Sequence, residues 1–465
     1  MNRSKKLYTL LGVLIAACAA TFAVMRMEEH KERIKNSDEI ILELPSESVC
    51  ALSWEYSGET LAFHKDGAWL YDEDENFPVS EEKINGLLEQ FQAFGAAFII
   101  EDVEDYGQYG LDAPVCTIHL STEEQSYEIK LGDYSTMDSQ RYISIGDGNV
   151  YLVKHDPLDD FDADLSDMIH HDEIPSFDHV TKLRFAGAES YTIAYEENSA
   201  GTYSADDVYF TGQDGKDLPL DTSKVSSYLR GISALNPVDY VSYNVTDEEL
   251  KTYGLDAPEL TITVDYTAQE DDAETANTFV LYVSPDPEET NAAEEGADTG
   301  QDAEIPAYIR IGESQIIYRI SPSSYKKLAA ASYNDLRHAE VIWADFADVR
   351  QIGISLEGDD YTLASREDGS QRVWLYQEKE VDAAGLWDDL AALAASEFTS
   401  EQPTQKEEIS LTIYLDNENF PEIRIALYRY DGTYCLAVVN GESVSLVERA
   451  AVVDLIEAVH SIVLN

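Results

Sequence analysis

The hexapeptide Tyr-Gly-Leu-Asp-Ala-Pro occurs twice in this chain of 465 residues, at positions 109–114 and again at 253–258. Six identical residues repeated at an offset of about 144 positions indicate internal duplication, so we expect a chain of repeated modules. The residues to which we assign this structural role are Tyr109, Gly110, Leu111, Asp112 and Pro114 in the first copy and Tyr253, Gly254, Leu255, Asp256 and Pro258 in the second.

The second copy has the pattern of a helix end followed by a strand. Thr246 and Glu249 have the spacing of a capping box and predict a short helix. Gly254 can adopt the left-handed backbone conformation that ends such a helix, and Leu255 can then fold back in a Schellman motif. The proline after Ala257 favours an extended backbone there, so a strand should follow. The corresponding residues of the first copy are Tyr106, Gly110 and Leu111.

Asp112 and Asp256 lie inside these turns. One hypothesis is that they are metal ligands or catalytic carboxylates. Aspartate is common in turns because its side chain forms hydrogen bonds to nearby backbone groups. We therefore interpret both residues as turn formers.

Two modules are predicted at residues 46–165 and 176–330, each with an antiparallel or mixed β-sheet and a packed amphipathic helix. Short alternating runs separated by Ser-Gly and Asp-Gly pairs predict strands joined by tight turns. Ser80 and Asp221 are good N-caps, and each is followed by apolar residues at helical spacing. These residues are Ile84, Leu87, Leu88, Phe91 and Phe94 in the first module and Val225, Tyr228, Leu229, Ile232 and Leu235 in the second. The predicted fold class is α+β.

Residues 343–465 should form a degenerate third unit, because they repeat the order of elements but lack the hexapeptide. Asp382 is expected to cap its first helix, and a helix through Val452 and Leu455 should end the chain. Within the second module, residues 284–304 are rich in Asp, Glu, Ala, Gly and Pro, which predicts a disordered acidic insertion.

The charge balance excludes several classes of partner. Lys and Arg total 31 against 91 Asp and Glu, a formal net charge of −60. Such a negative field repels nucleic acid and anionic lipid surfaces, so proteins, cations or neutral ligands are the expected partners.

The first 36 residues predict a basic cytoplasmic N-terminus, a transmembrane helix and a charged helical stem at 27–36. An uncharged, mostly apolar run from Leu7 to Met25 is just long enough to cross a bilayer core. The basic residues before it favour a cytoplasmic N-terminus, which places the bulk of the chain outside the cytoplasm. Two alternatives stay open: processing to a lipoprotein anchored at Cys18, and cleavage by an ordinary signal peptidase.

The three remaining cysteines, Cys50, Cys116 and Cys435, have no close spacing of the kind that zinc sites use. An odd number cannot all pair within one chain, and we interpret them as buried free thiols. A disulfide between Cys50 and Cys116 stays open as an alternative.

No pattern in the sequence identifies a catalytic, cofactor-binding or metal site. Asp160, Asp162 and Asp164 alternate like the start of a calcium loop, but Leu165 stands where the loop needs glycine. We interpret this run as a solvated helix face. The histidines at 155, 170, 171 and 179 include an adjacent pair, and adjacent side chains on a strand or helix point apart. No phosphate-binding loop, nucleophile elbow or zinc-protease helix is present.

A membrane anchor followed by strand meanders, capped helices, the Tyr-Gly-Leu-Asp-Ala-Pro turn and a Thr-Ile strand resembles the bacterial domain-of-unknown-function 4340 family. The resemblance covers residues 46–330 and is weaker in the third unit. It implies a bacterial cell-envelope protein of a kind often found with components of export-type ABC transporters, including those related to gliding-motility systems. It supplies no catalytic residue.

Two functions are therefore expected. The first is a non-enzymatic, membrane-anchored extracytoplasmic binding or accessory module, whose partners are the membrane through residues 7–25 and an envelope protein. The alternative is an envelope hydrolase that acts on glycan or peptide through acidic residues. A deep cleft with two facing carboxylates would favour the hydrolase.

Overall fold

The computed structural model describes residues 33–213, 215–270, 273–295, 304–368 and 371–464. They form two compact units, one that ends at His171 and one that begins at Asp172. The predicted membrane span at 7–25 and Cys18 lie outside the described residues. Among the residues that are described, no helix has the length and apolar character needed to cross a membrane.

The first unit is built on one antiparallel sheet of ten strands. They are β1 Arg33–Asn36, β2 Ile40–Leu42, β3 Val49–Tyr56, β4 Glu59–Asp66, β5 Ala68–Tyr71, β6 Phe94–Glu101, β7 Cys116–Thr122, β8 Ser126–Ser135, β9 Gln140–Ser144 and β10 Val150–Val153. The order across the sheet is β1-β6-β10-β9-β8-β7-β3-β4-β5, and β2 also pairs with β6. Phe94 was expected to be the last residue of the helical stripe, but it begins β6, which pairs with β10.

The second unit contains two antiparallel sheets of nine strands each, the second and third sheets of the chain. The second sheet contains β11 His179–Ala186, β12 Tyr191–Tyr195, β13 Tyr209–Gln213, β14 Lys216–Pro219, β15 Tyr240–Ser242, β16 Leu260–Glu270, β17 Ala273–Pro285, β18 Ala307–Ile311 and β19 Ile317–Ile320. The third contains β20 Val349–Leu356, β21 Asp359–Asp368, β22 Gln371–Tyr376, β23 Lys379–Val381, β24 Ala395–Phe398, β25 Glu407–Leu415, β26 Glu422–Arg429, β27 Tyr434–Val439 and β28 Glu442–Glu448.

All three sheets follow the same path through the chain. The second sheet has the order β15-β19-β18-β17-β16-β11-β12-β13-β14, and the third has β24-β28-β27-β26-β25-β20-β21-β22-β23. The first eight strands of both orders match the series β6-β10-β9-β8-β7-β3-β4-β5 of the first sheet, and the last strands, β14 and β23, have no counterpart there. The protein is thus α+β and dominated by antiparallel sheets.

In each sheet one helix follows the opening strands. The helices of the described residues are Glu81–Glu89, Leu158–Phe161, Thr222–Ser233, Asp247–Thr252, Pro287–Glu295, Pro322–Ala329, Tyr333–Leu336, Ala384–Ala391 and Arg449–Val463. The predicted N-caps Ser80 and Asp221 are confirmed, because their side chains accept hydrogen bonds from backbone N–H groups of the first turn. Asp382 was expected to cap the third-sheet helix, but Ala383 occupies that position and Asp382 accepts from the Ala384 N–H instead.

The helices bury their apolar faces against the sheets. In the first unit Trp54 and Phe161 are fully buried and meet edge to face, with ring centroids 5.4 Å apart. Phe63 stacks on the other side of Trp54, and Phe91, just after the helix, is 6.1 Å from Phe161. Burying each aromatic ring stabilises the unit by about 2–3 kcal/mol.

The predicted Schellman ending is present at both hexapeptides. In the second copy the Leu255 N–H donates to Leu250 O and the Gly254 N–H to Lys251 O, at 2.7 and 3.2 Å. In the first copy Leu111 and Gly110 donate to Tyr106 O and Gly107 O. The two glycines have φ values of 74° and 70°, in the left-handed region that favours glycine. The first copy closes a 3-10 turn, Tyr106–Tyr109, and the second an α-helix.

Two expectations about segments at the borders of the modules are wrong in part. The last four residues of the supposed helical stem form β1, because they pair with β6. The supposed disordered insertion begins with the end of β17 and continues as the helix Pro287–Glu295. That helix is fixed at its start, since Asp286 accepts from the Glu288 N–H and from the Tyr308 hydroxyl. Residues 296–303 lie outside the described residues.

The three cysteines of the described residues are free thiols. Burial raises the pKa of Cys116 to about 12 and that of Cys435 to about 11. Cys50 is half-buried and donates to Ser121 O at 3.4 Å. Buried thiols with a raised pKa are poor nucleophiles, which agrees with a packing role.

Candidate functional site

A groove of about 550 Å³ lies in the second unit, where the second and third sheets meet. One wall is apolar and aromatic, with Tyr203, Trp343 and Phe420. The polar groups that line it are Lys216, Asp217, Arg337, His338, Glu340, Asn440 and Glu442. A concave apolar site with a few convergent polar groups is the usual form of a ligand-binding pocket, and its volume is within the usual range.

Behind this wall, the buried carboxylate of Asp207 joins the two sheets. One oxygen accepts from His338 Nε2 at 2.9 Å, and the other accepts from Trp343 Nε1 at 3.0 Å and from the Thr202 hydroxyl. Burial alone would raise the pKa of Asp207, but hydrogen bonds from His338, Thr202 and Trp343 lower it below its ordinary value. Asp207 is therefore a buried anion with both oxygens satisfied.

The aromatic wall is a continuous stack. The His338 ring lies parallel to Trp343, with centroids 4.1 Å apart and planes 6° from parallel. Tyr203 packs on Trp343 at 4.9 Å and meets Phe420 edge to face at 5.8 Å. Burial raises the pKa of Tyr203 well above its ordinary value, so its hydroxyl stays neutral at physiological pH.

The segment 336–343 carries Arg337, His338, Glu340 and Trp343 of the groove lining, and its backbone is held from both sides. Towards the second sheet, Leu336 O accepts from the Asp221 N–H, and Arg337 O accepts from Lys224 Nζ. Towards the third sheet, residues 339 and 341 exchange backbone hydrogen bonds with residues 395 and 393. An extended segment fixed in this way presents alternate side chains on one side, which brings residues 338 and 340 together.

Three side chains beside the groove could hold a metal ion. Ligand atoms of Asp221, His338 and Glu340 all lie within 4.8 Å of one another. No other group of three or more His, Cys, Asp or Glu side chains with this geometry occurs within the described ranges. No metal ligand was predicted from the sequence, because Asp221 is separated from the other two by more than a hundred positions.

The residues that the sequence patterns singled out lie elsewhere. Asp112 and Asp256 are exposed in their turns. Asp160 accepts from His155 Nε2 at 3.0 Å, and Asp164 caps the 3-10 turn Leu165–Met168. The run was expected to form one solvated helix face, but only Asp160 lies in a helix, Leu158–Phe161, and Asp164 begins a separate 3-10 turn. Of the residues that could hold a metal ion, only His338 and Glu340 give a signal in the sequence, because they are two positions apart and lie on the same side of an extended chain.

A larger depression of about 840 Å³ lies on the third sheet beside Phe346, Arg372 and Trp374. Its aromatic rings already stack on each other, with centroids 5.1 Å apart. Arg372 already donates to Val349 O and to Asp416. Because its aromatic rings and Arg372 already have partners, this depression is a weaker candidate than the groove, although its volume is larger.

Comparison with known proteins gives one family. The family model described as Domain of unknown function (DUF4340) matches two overlapping regions, residues 69–258 and 211–412, which together span well over half of the chain. Neither the comparison with curated proteins nor that with solved structures found a match. The chain therefore belongs to the family described as Domain of unknown function (DUF4340).

Proposed function

We propose that this protein is a non-enzymatic, membrane-anchored extracytoplasmic binding module. Its binding site is the groove of the second unit, and its partner is a segment of another envelope protein, such as a transporter subunit. The observation that carries the proposal is the aromatic wall, in which Tyr203, Trp343 and Phe420 face a cavity large enough for one or two side chains of a partner. Aromatic anchors in such pockets contribute most to binding energy.

Charge supports a basic partner segment. Asp217, Glu340 and Glu442 line the groove in a chain with a net charge of −60. Of the two cations there, Lys216 lies 3.5 Å from Glu442, and the Arg337 guanidinium lies over the Phe398 ring. Electrostatic complementarity therefore favours a segment that combines basic side chains with apolar or aromatic ones.

We infer that the sheets arose by internal duplication, so that the chain carries three copies of one module. The shared strand order of the three sheets supports this inference, as do the two overlapping family matches. In this proposal the groove is formed between the second and third modules. A single module would lack it.

Location is tested by protease added to intact protoplasts of the producing bacterium. We expect the modules to be digested, because the apolar run at 7–25 should span the membrane with the N-terminus in the cytoplasm and the modules outside the cell membrane. Intact-mass analysis of the untreated protein should find residue 1 still attached.

Protoplasts lysed before protease treatment are the control for access. If the mature chain begins at a lipid-modified Cys18, the protein has a lipid anchor and the proposed helical anchor is wrong. Modules that are digested only after lysis would contradict an extracytoplasmic location.

Groove binding is tested with a fluorescein-labelled short peptide that alternates Lys with Leu and Phe. Anisotropy with the full-length, detergent-purified chain should show saturable binding that weakens with salt, whereas a matched peptide with Glu in place of Lys should not bind. Phe420→Ala should weaken binding by at least about fivefold, since truncating an interface anchor costs about 1 kcal/mol or more.

The matched control is Tyr134→Ala, which removes an exposed aromatic ring from the first unit. Equal binding of both peptides, or equal weakening by both variants, would show that the groove is not the site. Mass spectrometry of the recovered peptide separates binding from the alternative function. An envelope hydrolase would return cleaved peptide, and Asp221 and Glu340 are the carboxylates that could serve it.

A further inference from the structure

One ring nitrogen of His338 faces Asp207. The other faces the remaining members of the three-residue group that could hold a metal ion, Asp221 and Glu340. Nε2 lies 2.9 Å from an Asp207 oxygen, and that carboxylate is only 2% exposed. A carboxylate can only accept, so Nε2 carries the proton of the imidazole. In the neutral ring, Nδ1 is then a lone-pair donor, as a metal ligand must be.

Nδ1 faces Glu340 Oε2 at 3.8 Å. This oxygen is itself buried and has no hydrogen-bond partner among the residues that the structure describes, although the Glu340 side chain as a whole is 42% exposed. Two lone-pair atoms that face each other repel unless a positive charge lies between them. A proton or a cation between Nδ1 and the Glu340 oxygen would remove this repulsion.

Asp221 supplies a third oxygen to the same place. Its Oδ1 accepts from the backbone N–H groups of Ser223 and Lys224 as the helix cap, which leaves Oδ2. The two nearby bases have other partners. The Lys224 ammonium donates to Arg337 O at 2.8 Å, and the Arg337 guanidinium lies over the rings of Tyr333 and Phe398.

We propose that Asp221, His338 and Glu340 bind one divalent transition-metal cation, with Zn²⁺ as the ion that fits best, and that Asp207 orients the imidazole. One imidazole and two carboxylates leave a fourth tetrahedral position for water or a ligand from the groove. Tetrahedral Zn²⁺ would bring Nδ1 and the Glu340 oxygen to about 3.3 Å apart, so they need to move by only about half an ångström. A ligating histidine bound through its other nitrogen to a carboxylate is the common arrangement in metal sites.

The cation would also connect the two sheets. Asp221 begins the helix Thr222–Ser233 of the second sheet, whereas Glu340 pairs through its backbone with Ala394 beside the third. The site does not depend on the proposed function, because its ligands are all present whether or not the groove is occupied.

The test is Zn²⁺ titration of the full-length chain after removal of metal with a chelator, followed by calorimetry at pH 7.5. Millimolar Mg²⁺ should be present to occupy the many exposed carboxylates. We expect one tight site per chain that is weakened at least tenfold by Glu340→Gln and by His338→Gln. Asp221→Asn keeps a good N-cap and should also weaken it. Glu357→Gln, an exposed carboxylate in the β20–β21 turn, is the matched control and should bind like the wild type.

Co²⁺ provides a second readout that a merely structural role would not change. Its visible absorption should show a four-coordinate site, and Asp207→Asn should weaken Co²⁺ binding about 10–100-fold without removing a ligand. Circular dichroism of each variant would separate loss of binding from loss of fold. If the wild type binds no stoichiometric Zn²⁺, or if all variants bind as it does, the proposal fails.

Discussion

Replacing Asp207 by Ala is expected to destabilise the second unit by about 3–5 kcal/mol, the usual cost of removing one partner from a buried charged network. The substitution would leave His338 Nε2, Trp343 Nε1 and the Thr202 hydroxyl without their common acceptor. Hydrogen–deuterium exchange of peptides from residues 172–465, measured over a urea series with a metal chelator present, would report the loss.

Asp206→Ala is the matched control, because Asp206 is exposed. Its contact with Thr222 is made by the backbone carbonyl, which the substitution keeps. It should change stability by less than about 0.5 kcal/mol. Similar losses for both variants would show that the Asp207 network contributes little.

The Asp207 effect should depend on pH in a defined direction. The folded-state pKa of Asp207 lies below its ordinary value of 3.8, so its carboxylate contributes stability that is fully present above that value. As pH falls through the lower folded-state pKa, that contribution is lost. The difference between the wild type and Asp207→Ala should therefore shrink as pH falls below about 4. A difference that is already lost above about pH 4 would contradict the low pKa.

Replacing Gly110 by Ala should destabilise the first unit more than the same change at Gly146 does, and by more than Gly254→Ala destabilises the second unit. Left-handed backbone costs an alanine about 1–2 kcal/mol. A Cβ at Gly110 would in addition lie 2.7 Å from the Asp133 carboxyl carbon and 2.8 Å from the Asp133 backbone nitrogen. Overpacking of this kind adds about 1–3 kcal/mol, and a backbone atom cannot rotate away.

The other two glycines complete the series. Gly146 has φ of 81° and nothing within 4 Å of its Cβ position, so Gly146→Ala measures the backbone strain alone. At Gly254 the nearest atom is Ser284 Oγ at 2.6 Å, the end of a side chain that can rotate. Exchange-based stabilities of the unit that carries each variant should therefore rank the losses as Gly110, then Gly254, then Gly146. Equal losses at all three would mean that the close approach at Gly110 is relieved without cost.

The features that were predicted correctly from the sequence are those whose determining contacts are local. The capping box at Thr246, the caps at Ser80 and Asp221 and the Schellman hydrogen bonds at Gly110 and Gly254 involve residues at most five positions apart. Such contacts are specified by residue type and spacing.

Elements that depend on distant partners were missed. The strand β1 exists because residues 33–36 pair with β6, more than sixty positions away, and its charged sequence gave no sign of this. The groove requires Tyr203, Trp343 and Phe420 from three separate segments. Asp207, in an Asp-Asp pair within a loop, has the composition of a surface turn. Only tertiary packing shows which of the two aspartates is buried.

Within the described residues, each of the three sheets has a very short strand at both of its ends. The outermost strands β1, β5, β14 and β24 have four residues each, and β15 and β23 have three, whereas the central strands β16 and β17 have 11 and 13. About half of the backbone groups of an outer strand point away from the sheet, so each end offers only a few unpaired donors and acceptors.

Sheets of similar structure in one chain are held near one another at high effective concentration, which favours strand exchange and misassembly during folding. A short edge strand offers an incoming strand too few hydrogen bonds for stable pairing. The chain can therefore carry three sheets of similar strand order with little risk that they join edge to edge, either within one molecule or between neighbours.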